Sequence, residues 1–71
     1  MIKSARKRKR LTQKELANIV GVSQSYISRL ERRQMPTIGD IDVKTILRLS
    51  KVLELDQVDV FIFITSYQNS K

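Results

Sequence analysis

The sequence predicts an all-α domain, and three observations predict it. Helix-capping residues stand ahead of apolar stretches at Thr12, Ser23 and Asp42. Behind each cap, apolar residues recur at the three- and four-residue spacing of one helical face. Between the first two capped segments stands Gly21, which can take the left-handed conformation that stops a helix at low steric cost.

The elements follow in order. Ile2 to Arg10 is rich in helix formers, with Ile2 and Ala5 three apart, and is expected as a basic first helix. Thr12-Gln13-Lys14-Glu15 is a capping box: the Thr12 hydroxyl can take an orphan amide while the Glu15 side chain returns to the Thr12 amide. The helix behind it has Leu16, Ala17, Ile19 and Val20 on its expected apolar side and ends at Gly21. Val22 is placed to plug the corner, and Ser23 caps a third helix from Gln24 to about Arg32, with Ile27 and Leu30 facing the core.

Gln34 to Asp42, with Pro36 and Gly39, reads as a loop. Asp42 then caps a helix from Val43 to about Leu53, with Ile46, Leu49, Val52 and Leu53 on the buried stripe. The last segment, Gln57 to about Ile64, is open at this level. Its β-branched Val58, Val60, Ile62 and Ile64 favour a strand, whereas the Asp56 cap favours a helix. The whole of residues 1–71 is expected as one domain, with residues 65–71 as a disordered tail.

Composition narrows the function. A chain of 71 residues buries a modest core, worth roughly 3–5 kcal/mol. Cysteine and histidine are absent, which removes disulfides, thiolate zinc sites and the commonest general base. The scattered Asp and Glu have nothing to organise them into a catalytic site, so no enzyme, cofactor or metal is expected. No apolar stretch approaches membrane-spanning length and residues 1–10 lack the apolar segment of a signal peptide, so a cytoplasmic protein of a bacterial or phage-infected cell is the expectation.

The charge is polarised. Residues 1–33 hold ten Lys/Arg against two Glu, a net +8, while residues 34–71 are net −1. Such a field favours a polyanion, and nucleic acid is the simplest one. An anionic membrane is the rival partner, but Lys3 to Arg10 has too few apolar residues to insert.

Gln13 to Arg32 therefore reads as a helix-turn-helix, in which the second helix enters the major groove of DNA. Ala17 is small where the helices cross, Gly21 permits the turn, and Leu16, Val20, Val22, Ile27 and Leu30 bury the corner. Opposite Ile27 and Leu30 lie Gln24, Ser25, Ser28 and Arg29, the candidate base contacts. Gln can pair bidentately with adenine and Arg with guanine, while Ser serves either.

The stretch Leu11 to Glu31, LTQKELANIVGVSQSYISRLE, resembles the Cro/CI-type phage repressor family of helix-turn-helix domains, also called the XRE type. A second match is TILRLSKVLEL, Thr45 to Leu55, and the likeness extends to about Phe63. It implies a compact five-helix, lambda-repressor-like DNA-binding fold. It also implies a phosphate contact from Gln13, base contacts from Gln24, Ser25 and Arg29, and an ion pair between Arg6 and Glu31. The chain departs from the family pattern in three places. Arg10 stands where glycine is usual, Arg32-Arg33 replaces a frequent Asn-Gly turn, and the loop from Pro36 to Thr45 is about five residues longer.

The remaining candidate phosphate contacts are Arg10 of the basic run, Ser23, Tyr26, Arg32 and Arg33, with Tyr26 able instead to meet a thymine methyl. Val60, Phe63 and Ile64 are the expected exposed apolar patch, a protein interface. Two readings follow. The first is a sequence-specific transcriptional regulator of Cro/repressor type, without a ligand or oligomerisation domain, binding an operator as a homodimer. The second is a small switch protein, an antirepressor or modulator that binds a cognate repressor and alters its DNA binding.

Overall fold

The computed structural model describes residues 1–32 and 42–69, with side chains to residue 65. It contains α1 (Ile2–Arg8), α2 (Gln13–Val20), α3 (Gln24–Glu31), α4 (Val43–Leu53) and α5 (Gln57–Asn69), with no strand among the described residues. The loop expected between Gln34 and Ile41 and the candidate Arg33 lie outside the described residues.

Side chains from all five helices close one core: Ile2 and Ala5, then Leu16, Ala17 and Val20, Ile27 and Leu30, Ile46, Leu49 and Leu53, and finally Val60 and Ile64. Half-buried Leu11, Val22, Tyr26, Val52, Leu55 and Phe63 pack around it. The closest pairing is α2 on α3, and α5 lies on α4.

The caps form as the residue types dictate. Thr12 and Glu15 make both bonds of the capping box, at 3.0 and 2.8 Å. Ser23 Oγ accepts the Tyr26 amide at 3.0 Å. Asp42 accepts the Lys44 amide with one oxygen and the Thr45 hydroxyl with the other, both at 3.1 Å. Asp56 accepts the amides of Val58 and Asp59, and this cap starts α5. Capping and packing on α4 thus override β-branched propensity, and α5 continues to Asn69 rather than ending near Ile64.

Three helices end alike. A residue in the left-handed region follows α1, α2 and α4: Arg10 at φ 59, Gly21 at φ 87 and Glu54 at φ 56. The next amide then folds back, Leu11 to Arg6 O at 3.2 Å, Val22 to Ala17 O at 2.9 Å and Leu55 to Ser50 O at 2.8 Å. Arg10 therefore takes a left-handed conformation that favours glycine, and α1 stops at Arg8. The basic first helix, expected to run to Arg10, thus ends two residues earlier, with Arg10 outside it. The two non-glycine corners are braced against each other, since Lys9 Nζ lies 2.7 Å from Glu54 Oε2.

Two apolar assignments are also corrected. Ile19 is exposed, because Leu16, Ala17 and Val20 define a stripe whose centre lies roughly 100° around the helix from it. Val60 and Ile64, expected at an exposed patch, are both fully buried, and Phe63 is half-buried beside them. These three do share one face, but it is the inner one. Val58 and Ile62, on the opposite side of α5, are 57% and 56% exposed.

Candidate nucleic-acid interface

The turn between α2 and α3 organises the site. Gly21 and Val22 both donate to Ala17 O, at 2.8 and 2.9 Å, which closes α2 and turns the chain. Half-buried Val22 plugs the corner. Ser23 then starts α3 with its hydroxyl turned back to the Tyr26 amide, and the hydroxyl hydrogen remains available as a donor.

One side of α3 is pinned by Ile27 and Leu30, both fully buried. The other side presents Gln24, Ser25 and Arg29, all exposed. Ser28 is half-buried and accepts a hydrogen bond from Arg32 Nη2 at 2.9 Å, so these two candidates form a linked pair at the end of the helix. Tyr26 is half-buried against the core, and its hydroxyl accepts the Asp42 amide at 3.5 Å, which ties α3 to the start of α4.

The start of α2 lies beside the end of α3. Gln13 Nε2 donates to Glu31 Oε1 at 2.9 Å. Glu31 also pairs with Arg6 through the guanidinium Nε, and Arg6 Nη1 donates to Leu11 O at 2.8 Å. The Arg6–Glu31 pair is therefore present, with side chains only 10% and 3% exposed. Breaking such a buried pair from one side costs about 3–5 kcal/mol, comparable to the whole stability of a domain this small.

Of the five cations from Arg6 to Arg10, the fold employs two: Arg6 on Glu31 and Lys9 on Glu54. Lys7, Arg8 and Arg10 are exposed, as are Lys14 in the first turn of α2 and Arg32 after α3. The Lys9 ammonium, hydrogen-bonded to Glu54, holds that carboxyl below its ordinary value of 4.5.

Sequence reasoning missed Arg48. It sits on α4, and its Nη1 lies 3.5 Å from the carbonyl oxygen of Val20, at the negative end of α2. A cation beside the buried stripe of α4 was visible, but only the crossing of α4 on α2 aims it at the turn. The Gln13–Glu31 bond was missed for the same reason, since 18 residues separate its partners.

Among the described residues no helix is long and apolar enough to cross a membrane. Residues 2–56 match the helix-turn-helix family model of XRE type, to which Cro and CI repressors belong, and the chain belongs to this family. It is a DNA-binding transcription regulator of that type. No curated protein and no solved structure matches the chain.

Proposed function

We propose that this member of the helix-turn-helix family is a sequence-specific repressor of Cro type that acts on its operator as a homodimer. The observation that carries the reading is the polar ridge of α3. Gln24, Ser25 and Arg29 project from a helix whose opposite side is wholly buried and whose start is set by Gly21. In this reading these residues and Ser28 meet base edges in the major groove. Gln13, Arg10, Ser23 and Arg32 hold phosphates on either side, with the Tyr26 hydroxyl at the margin.

The homodimer rests on residues that lie outside the basic half of the sequence. Val43, Leu47, Val58, Phe61 and Ile62 are all exposed, and several of them line an apolar groove of about 210 Å³ between α4 and α5. Chain halves of +8 and −1 favour pairing through the second half, whose charges nearly balance. α4 exposes Lys44 and Lys51, and Asp56 and Asp59 are exposed at the start of α5, so two-fold pairing can set opposite charges at the rim.

The test is a gel shift with DNA upstream of the gene, using wild type and a Gln24→Ala/Arg29→Ala double variant. Each bidentate contact contributes about 1–3 kcal/mol of discrimination, so the double variant should keep non-specific binding and lose its preference for the operator. Unchanged operator preference in a folded double variant overturns the reading. Sedimentation of wild type and Phe61→Asp should show a dimer and a monomer. A wild-type monomer that instead associates with an added cognate repressor favours the switch-protein alternative.

A further inference from the structure

Glu31 ends α3, yet its carboxylate is not a surface charge. Its side chain is 3% exposed and joins three elements. Arg6 of α1 donates to it through Nε, with Nη2 at 3.4 Å, and Gln13 of α2 donates through Nε2 at 2.9 Å. The ion pair alone balances the charge, so electrostatics does not require the glutamine.

The place of Gln13 gives the third bond its meaning. Gln13 is the first residue of α2 after the Thr12 cap, on the helix that crosses the DNA backbone in this architecture. An ionised carboxylate accepts hydrogen bonds and cannot donate them. Glu31 therefore dictates which end of the Gln13 amide faces it: the NH₂ group, not the oxygen. One amide hydrogen is engaged, and the second remains on a side chain that is already ordered. A glutamine left in water would have to be immobilised, and its amide turned, when it met a phosphate.

We propose that Glu31, held by Arg6, is a positioning residue for DNA binding: it pre-orders Gln13 for a backbone phosphate. The inference rests on the reading of Gln13 as a phosphate contact. Arg6 has two duties in it. It offsets a carboxylate that would otherwise repel the DNA backbone, and it fixes that carboxylate where Gln13 can reach it.

The test needs no operator, because the phosphate contribution is measured on any duplex. Fluorescence anisotropy with a labelled duplex of random sequence at low salt is read for wild type, Gln13→Ala, Arg6→Met/Glu31→Met and the triple variant. The methionine pair fills similar volume and keeps the net charge, so a loss of affinity cannot come from bulk electrostatics. Gln13→Ala and the methionine pair should each weaken binding by about 3- to 10-fold. The triple variant should be no weaker than either, since both remove one ordered contact.

Full affinity in the folded methionine pair overturns the proposal, as does a full further loss when Gln13→Ala is added to it. Where the methionine pair fails to fold, Arg6→Leu/Glu31→Leu likewise keeps the net charge and removes the acceptor, and the same cycle with Gln13→Ala is read. Wild type that binds no duplex defeats the DNA interface itself. Wild type that binds while Gln13→Ala is without effect defeats only this inference.

Discussion

Replacing Gly21 by alanine tests the turn on which the recognition helix depends. Gly21 adopts φ 87, ψ 34, where a β-carbon is disfavoured by about 1–2 kcal/mol. Space is not the obstacle. Among the described residues, an added Cβ would find its nearest neighbour in Arg48 Nη1, at 3.8 Å, which is an ordinary contact with the end of a flexible side chain. The expected loss is therefore the backbone strain alone, about 1–2 kcal/mol. Against a stability of roughly 3–5 kcal/mol that is a large fraction, and it lowers Tm by roughly 4–16 °C. Thermal and urea melts followed by circular dichroism measure it, with the urea slope unchanged if only stability moves. Gly21→Asn, whose side chain tolerates the left-handed region better, should lose less. Both variants should bind DNA like wild type well below their melting temperatures, because the bend itself survives. Alanine and asparagine variants as stable as wild type would refute the reasoning, since no left-handed residue would then be required at the turn. A loss well beyond 2 kcal/mol would show that the turn is sterically closed rather than strained.

Two further outcomes follow from the other corners. Arg10→Gly relieves the same kind of strain at φ 59 and should stabilise the fold by about 1 kcal/mol, yet it should weaken DNA binding and flatten the log–log salt slope by about one unit; unchanged salt dependence would remove Arg10 from the phosphate contacts. The Lys9–Glu54 contact should be pH-dependent, because the folded carboxyl titrates below 4.5. A depressed folded value stabilises the fold above the unfolded value and ceases to do so as pH falls through the folded one. Melting temperatures of wild type and Glu54→Gln should thus differ at neutral pH and converge in acid, and a gap that persists in acid would mean that the ion pair is not its source.

Much of the fold is readable from local chemistry. Thr12, Ser23, Asp42 and Asp56 each start a helix because their side-chain oxygens reach amides two or three residues ahead, and Gly21 ends one because it lacks a β-carbon. The exposure of Gln24, Ser25 and Arg29 follows from the helical period once Ile27 and Leu30 turn inward. Arg6 and Glu31 could be paired only through the family resemblance, as nothing in their local sequence joins residues 25 apart.

The limits of local reading show in α5 and at the turn. A segment that is apolar on all sides has no preferred inner face, so the expectation that Val60, Phe63 and Ile64 stay exposed had no periodicity behind it, and Val60 and Ile64 are fully buried. Their side was chosen by packing on α4. Likewise, Arg10 carries a side chain that disfavours a left-handed corner and nevertheless occupies one. By itself the sequence determined where helices begin, where the motif bends and which residues of α3 stay polar, because caps, glycine and a 3.6-residue period act within a few residues of one another. Only the tertiary structure decided which side of α5 is buried, which cations the fold consumes and which side chain steadies Gln13, because those depend on surfaces that meet only after the chain has closed on itself.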